Sequence, residues 1–469
     1  MEITDKKAYF NEQAATLARY RHRRRYYWDS ITRQCNYFIP AGSSVLEVGC
    51  GMGDLIARVG GSRKVGIDFS EAMIATARER YAASGVQFEV MSAERITLDE
   101  KFDVIVLSNL VGYLDDVQAV FEQLRRVSHA RTRVIVTYYN HFWEPLIKLA
   151  ELVGLKRRGP QQNWMSGNDI RNLLYLAGFE TFRMNRNMLL PVNIPVVAWL
   201  CNKFLARLPL LNRLGLNQYL YARPNPVPET YSVSVVIPAR NESGNIEDAI
   251  LRTPQMGSHT EIIFVEGNST DDTWDVIQRM QEKYGDCRDI KIARQEGKGK
   301  GDAVRKGYSI ATGDVLMILD ADLTVPPEEL PKFYEAIAAG KGEFINGCRL
   351  IYPMEKGAMR FLNTLGNKFF SVVFSWLLEQ PIKDTLCGTK VIRRTDYIKL
   401  QDNRSFFGDF DPFGDFDQIL GAYKLNLKII DLPIRYRERK YGDTNISRFK
   451  HGLLLLRMSG FAARKIKFY

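Results

Sequence analysis

Apolar and polar positions repeat one rhythm twice along this chain. Short apolar runs, bounded by glycine, proline or acidic residues, alternate with longer stretches whose apolar positions recur at helical spacing. In the first half the runs are Ser44–Val48, Lys64–Asp68, Val86–Met91, Phe102–Leu107 and Arg133–Tyr138. In the second they are Ser232–Pro238, Glu261–Glu266, Ile290–Arg294, Asp314–Asp320 and Glu343–Asn346. Nearly continuous apolar character marks strands covered on both faces, so each half predicts βαβ units around a mostly parallel sheet. Between the halves, Arg223-Pro-Asn-Pro-Val-Pro-Glu-Thr230 has three prolines in eight residues and no apolar period. That density predicts an extended, semi-rigid linker. The expected organisation is therefore two α/β domains, residues 1–222 and 231–469, joined by 223–230.

Composition narrows the class without choosing a chemistry. With 45% apolar and 25% charged residues among 469, the chain is ordinary globular protein rather than a disordered or fibrous one. The charge balance of 65 − 54 = +11 permits anionic partners such as nucleotides or lipid phosphates. The six cysteines lie far apart with no C-x-x-C, which argues against a zinc site and a dense disulfide framework and favours a reducing compartment. Met1-Glu-Ile-Thr-Asp5 lacks the basic-then-apolar order of a secretory signal. No uncharged apolar run reaches the roughly 18 residues that a spanning helix needs. The expected location is cytoplasmic, with peripheral contact at the cytoplasmic face of the membrane.

In the first half, Val45-Leu-Glu-Val-Gly-Cys-Gly-Met-Gly-Asp54 reads as a buried strand entering a glycine turn and then a helix. Glycines there allow a tight turn and close approach of backbone to a ligand. A dinucleotide loop would carry glycine where Asp54 stands, and no Walker lysine follows. The next strand ends in Asp68, 19 residues after Gly49, the spacing that sets an acid beside a ribose. These residues resemble the class I S-adenosylmethionine-dependent methyltransferases over about residues 20–190. The resemblance implies that fold and a cofactor site made by Glu47, Gly49, Gly51, Gly53, Asp68, Phe69, Ser92 and Asn109. Ser92 stands where many members carry an adenine-binding Asp. His129 and His141 read as structural, and the methyl acceptor is not legible.

In the second half, Gly313-Asp-Val-Leu-Met-Ile-Leu-Asp-Ala-Asp-Leu323 ends an apolar strand in two acids. Alternate strand residues share a face, so Asp320 and Asp322 point the same way. Such a like-charge pair calls for a hard cation with oxygen ligands, Mg2+ or Mn2+ bridged to a diphosphate. Together with Pro238, Glu242 and the Gly297-Lys-Gly-Lys-Gly301 loop, the arrangement resembles the family 2 glycosyltransferases of GT-A fold, over about residues 231–450. By that resemblance Pro238, Arg240, Glu242, Glu266 and Lys300 line a UDP- or GDP-sugar pocket, and Asp320 and Asp322 hold the metal and diphosphate. Val265-Glu-Gly-Asn-Ser269 departs from the usual V-D-D-x-S but keeps one acid in Glu266. Asn346-Gly-Cys-Arg349, Asp384-Thr-Leu-Cys-Gly-Thr-Lys390 and Arg439-Lys-Tyr-Gly442 are similar to segments of the polyprenyl-phosphate (dolichyl-phosphate mannose synthase-like) branch. That branch implies a lipid-phosphate or other glycan acceptor, its phosphate held by Arg349, Arg360 and Arg439. Asn445 replaces the lysine usual after the last segment.

Several alternatives stay open at this level. An acceptor hydroxyl would need a general base, for which Asp415 or Asp417 is the candidate, whereas a lipid phosphate is already anionic and needs none. The stretch Phe361–Leu378 reads equally as a core helix or as one lying on a bilayer. Met188–Tyr221, rich in Leu, Pro, Trp and Arg, either packs the domains or touches membrane. Arg19-Tyr-Arg-His-Arg-Arg-Arg-Tyr-Tyr-Trp28 reads as a cap helix with a solvated basic face; no nucleic-acid module accompanies it, and no nucleic-acid partner is expected. The chain is thus expected to be a bifunctional methyltransferase and inverting glycosyltransferase. The alternative is a glycosyltransferase carrying a silent methyltransferase-like scaffold, but a scaffold would not need Glu47, the glycines and Asp68.

Overall fold

Two seven-stranded sheets organise the described residues, one in Met1–Asn225 and one in Pro226–Lys467. The structure is a computed structural model and describes residues 5–23, 25–154, 159–352, 361–404, 414–439, 441 and 448–468. In the first unit the strands are β1 (Ser44–Val48), β2 (Arg63–Asp68), β3 (Val86–Val90), β4 (Phe102–Ser108), β5 (Ser128–Tyr139), β6 (Phe179–Asn187) and β7 (Asn217–Pro224). Their order is β3-β2-β1-β4-β5-β7-β6. Apolar β1 sits centrally and parallel to both neighbours, with Val45 opposite Lys64 on β2 and Val104 on β4. The strand order reverses at β1, so the crevice beyond its carboxyl end is where a ligand fits an open α/β sheet.

β6 and β7 were not legible as strands. β7 lies antiparallel between β5 and β6, and it is buried from Asn217 to Arg223 despite its polar residues. Gln218 and Arg223 find partners inside, while the Asn217 side-chain amide has no hydrogen-bond partner among the described residues. Gln218 donates to the carbonyls of Tyr139 and Met165, both at 3.2 Å, and Arg223 pairs with Glu180 at 2.9 Å. Arg223 and Pro224, which the proline pattern put in a linker, therefore belong to the sheet. The chain between β6 and β7 carries the helix Val197–Lys203 and the short 3-10 turns Leu205–Arg207 and Leu211–Leu214.

The second sheet comprises β8 (Val233–Ala239), β9 (Thr260–Glu266), β10 (Asp289–Arg294), β11 (Val315–Ile318), β12 (Phe344–Cys348), β13 (Lys390–Arg393) and β14 (Ile429–Pro433). Their order is β10-β9-β8-β11-β13-β12-β14, with β13 antiparallel to β11 and β12 and the other pairings parallel. The helix Phe361–Leu378 resolves the earlier ambiguity in mixed fashion. Phe370, Phe374, Leu377 and Leu378 are buried in the protein, while Phe369 and Val372 are exposed.

The end of β12 and that helix meet at one buried carboxylate. Asp384, fully buried, accepts from Arg349 Nε at 2.7 Å and Nη2 at 2.9 Å, from the Arg349 backbone at 3.0 Å and from Asn367 at 3.0 Å. Burial alone would raise its pKa, but Arg349 and these donors hold it down at about 2. Breaking a buried pair strands the surviving charge, at a cost of about 3–5 kcal/mol. Asp384→Ala is expected to lose that much in urea unfolding. Because the folded-state pKa is depressed, the pair's contribution is present above about pH 4 and fades as pH falls toward 2. Asp384→Asn should accordingly flatten this acid limb of the stability profile, measured between those two pH values.

Candidate active sites

At the carboxyl end of β1 the chain turns through Gly49, Gly51 and Gly53, all at positive φ. A Cβ at Gly49 would lie 2.6 Å from Leu110, and one at Gly53 would lie 2.6 Å from the Phe88 ring. Asp68, at the end of β2, is buried and locks this turn. Its carboxylate accepts from Gly51 N at 2.8 Å and Ser70 N at 3.0 Å. Ser70 in turn caps the helix Glu71–Arg80 through Met73 N.

Gly49, Gly51, Asp68, Phe69, Ser92 and Asn109 line one cavity of about 780 Å³. Two of the expected cofactor residues do not line it. Glu47 points into the sheet, 2% exposed, and accepts from Ile56 N at 2.9 Å, so it braces the far side of the loop. Gly53 serves the packing against Phe88. The sequence reading missed the opposite wall, which is aromatic: Tyr9, Phe10, Trp28, Tyr113 and Tyr139. Helix Lys6–Arg23 supplies part of it and is tied down by Asn11, which accepts from Ser70 Oγ at 2.6 Å. Helix Arg25–Phe38 supplies Trp28 and the buried Tyr27, which hydrogen-bonds with Asn109. Burial keeps the Tyr27 hydroxyl protonated, well above its ordinary range. The aromatic-basic stretch 19–28 was thus legible as a cap, but not which of its side chains turn inward. His129 pairs with Asp103, and neither it nor His141 lines the cavity.

In the second unit the acids gather where β8, β9 and β11 end. Glu242 is buried and accepts from Asn245 Nδ2 at 2.7 Å and Arg439 Nη1 at 2.9 Å. Burial, only partly offset by Arg439, pushes its carboxyl up to about 7. The second guanidinium nitrogen of Arg439 donates to Asp322 at 2.6 Å, and Thr324 Oγ1 donates to the other Asp322 oxygen at 2.8 Å. Asp320 pairs with Lys300; burial would raise its pKa, but Lys300, Lys390 and Arg349 together hold it low. A Cβ at Gly388 would lie 2.1 Å from Asp320 Oδ2, so this position must stay bare for the pair to form. Glu266 ends β9, buried, and accepts from Ser269 N. Pro238 is half-buried on β8, and Arg240, just beyond, is exposed.

The remaining expected residues divide. Both teeth of the Arg349 fork go to Asp384, which leaves at most one nitrogen for an acceptor phosphate. Asp417 pairs with Arg404 at 3.4 Å. Asp415 starts the helix Asp415–Lys424, but its side chain, like all of Arg360, lies outside the described residues. Two carboxylates without a third donor suit Mg2+ or Mn2+, which keeps water and substrate phosphate oxygens in its shell. Among the described residues no cluster of three metal-ligating side chains occurs.

Residues 45–130 match the methyltransferase domain family, and residues 234–401 match glycosyl transferase family 2. A dolichol-phosphate mannosyltransferase of Pyrococcus furiosus is 30% identical over 247 residues, covering 50% of this chain and 67% of the relative. The chain belongs to glycosyl transferase family 2. An undecaprenyl-phosphate 4-deoxy-4-formamido-L-arabinose transferase of Edwardsiella ictaluri is 33% identical over 232 residues, 48% of this chain and 64% of the relative. The chain therefore spans about two thirds of the length of these relatives. A solved SAM-dependent methyltransferase of Thermotoga maritima aligns at 18% identity and TM-score 0.38, over 47% of this chain and 99% of that one. Glucosyl-3-phosphoglycerate synthase of Mycobacterium tuberculosis aligns at 18% and 0.37, over 50% and 80%. The chain joins a class I methyltransferase fold to a GT-A fold, and both domains are of transferase type.

The placement of Asp68 sets an expectation for the first site. Hydrogen bonds to a charged acceptor are worth about 1.5–3 kcal/mol, so Asp68→Ala should weaken S-adenosylmethionine binding about ten- to a hundredfold. Asp68→Asn keeps one acceptor oxygen and should lose less. Titration calorimetry on both variants, with circular dichroism to confirm folding, measures the difference.

Proposed function

We propose that the chain is a bifunctional transferase. Its first unit transfers a methyl group from S-adenosylmethionine, and its second transfers a sugar from a UDP- or GDP-sugar to a polyprenyl phosphate. The observation that carries the reading is the arrangement of acids at strand ends. Asp68 lies at the wall of a ligand-sized cavity, and Asp320 and Asp322 are each balanced by a protein cation, Lys300 and Arg439. The relatives' names, which specify dolichol-phosphate and undecaprenyl-phosphate transfer, support the choice of acceptor.

In the first site, Gly49 and Gly51 admit the cofactor close to the backbone, Asp68 accepts from the ribose hydroxyls, and Ser92 reaches the adenine. The aromatic wall excludes water from the methyl group and leaves room for an acceptor. In the second site, Glu242 and Glu266 face the nucleoside, and Lys300 and Arg439 neutralise the diphosphate. A divalent cation held by Asp320 and Asp322 would supply further stabilisation of the charge that develops on the leaving diphosphate. An acceptor phosphate oxygen attacks the anomeric carbon as the bond to the diphosphate breaks, which inverts that carbon. A phosphate nucleophile needs no base, so Asp417 is free to serve its pair with Arg404 instead. No helix among the described residues is long and apolar enough to cross a membrane, so the proposed lipid would be met at its headgroup, at the cytoplasmic face.

Two outcomes check this reading. Asp322→Asn should abolish sugar transfer and leave methyl transfer intact, and EDTA should do the same to the wild type; full sugar transfer in EDTA would remove the metal assignment. Incubation with nucleotide sugars, Mg2+ and undecaprenyl phosphate, followed by mass spectrometry, should give a glycosyl phospholipid. Transfer to a soluble hydroxyl acceptor alone, lost in Asp417→Asn, would replace the lipid with the hydroxyl.

A further inference from the structure

The chain between β6 and β7 presents apolar side chains outward from a built scaffold. Asn202 clamps its start, accepting from Leu189 N at 2.8 Å and Leu190 N at 3.0 Å and donating to the Leu190 carbonyl at 2.7 Å. Ala198 and Ala206 are buried beneath it. Above this base Val196 is 67% exposed, Trp199 52%, and Leu210 77%. These are not scattered residues. Asn140 donates to the carbonyls of Arg213 and Gly215, both at 3.0 Å, and Trp143 Nε1 donates to the Leu214 carbonyl at 2.7 Å. The helix Glu144–Leu152 starts at that junction, and its Leu146, Leu149 and Leu152, one helical face, are all more than half exposed. The two segments make one apolar surface, of the extended kind that marks a protein or membrane contact.

Charge selects between those contacts. From Thr181 to Pro228 the chain contains no Asp or Glu, yet it carries Lys203, Arg207 and Arg213 among the exposed apolar groups. Arg186 Nε is buried without a hydrogen-bond partner among the described residues, and the like charge of Arg213 lies near enough to disfavour its guanidinium further. The helix Glu144–Leu152 itself carries Glu144, paired with Lys148 at 2.6 Å, and Glu151, so the positive charge of the surface comes from the insertion between β6 and β7. Exposed apolar groups interspersed with the cations of the insertion, together with the half-exposed Trp199, fit the interface of an anionic bilayer, whose acyl chains take the former and whose phosphates take the latter.

We propose that the β6–β7 insertion and the Glu144–Leu152 helix together form a docking face for anionic membrane, so that the methyltransferase unit itself binds the lipid surface. This holds whatever acceptor the other unit uses.

Co-sedimentation of the full chain with phosphatidylcholine vesicles, with and without 30–40% (about a third) phosphatidylglycerol, tests it. The expected result is binding to the anionic vesicles, at least fivefold weaker to neutral ones and weakened by raising salt from about 0.1 to 0.5 M, as screening requires. Leu210→Glu and Trp199→Ser alter exposed side chains, and each should cut the bound fraction at least fivefold with an unchanged melting temperature. Lys203→Glu should act in the same direction and abolish the salt dependence in part. Unaltered vesicle binding in all three variants would overturn the proposal. So would absence of vesicle binding by the wild type together with a dimer, seen by light scattering, that Leu210→Glu dissociates, because the occupant would then be a second copy of the chain.

Discussion

An ionised carboxylate at the end of a buried parallel strand is the constraint on which both halves depend. Leaving such a group unpaired away from water costs several kcal/mol, so the fold must bring donors to it. In the first unit the donors are backbone amides. Asp68 gathers Gly51 N and Ser70 N, and in doing so fixes the glycine turn on one side and the cap of the next helix on the other. In the second unit the donors are cationic side chains from separate elements, Lys300 for Asp320 and Arg439 for Asp322. The same physical demand thus produces a loop held by backbone amides in one case and a set of side-chain ion pairs in the other.

The difference suits the ligands each site is proposed to take. A neutral ribose needs acceptor oxygens already in place, and Asp68 is held there by two main-chain amides. Under the proposed function, Asp320 and Asp322 would hold a divalent cation that would supply charge stabilisation for a diphosphate. Lys300 and Arg439, which pair with Asp320 and Asp322, are the cations that would face a diphosphate there. Arg439 also contacts Glu242, so one side chain joins Glu242 to Asp322. Arg349 plays a different part. Its fork is spent on Asp384, which makes it a brace between β12 and the loop before β13 rather than a free phosphate clamp.

Much of the site was legible because its chemistry is local in sequence. The glycine turn and Asp68 lie within one βα unit, and Asp320 and Asp322 are two positions apart; β11 ends at Ile318, however, so both acids lie past the strand, Asp322 in a turn, and strand alternation does not set their direction as expected. What escaped was what depends on partners distant in sequence. β7 was divided between a domain-packing or membrane-touching stretch and the linker, because Gln218 and Arg223 are polar; they are accommodated inside where Tyr139, Met165 and Glu180 meet them. Glu47 and Gly53 belong to the recognised motif, yet they brace the turn from behind instead of lining the cavity.

The sequence by itself determined two mostly parallel α/β sheets, the acids at or just past their strand ends and the family each half resembles, since apolar periodicity and short-range spacing suffice for these. Tertiary structure alone decided which cation answers which carboxylate, which aromatic residues of the cap helices close the first cavity, and which apolar residues stay outside. Those outcomes turn on approach between segments tens to hundreds of residues apart. Arg439 and Glu242 are separated by 197 positions, and Trp143 and Leu214 by 71. No local pattern encodes such pairings; only the packed chain brings their charges and hydrogen bonds within reach.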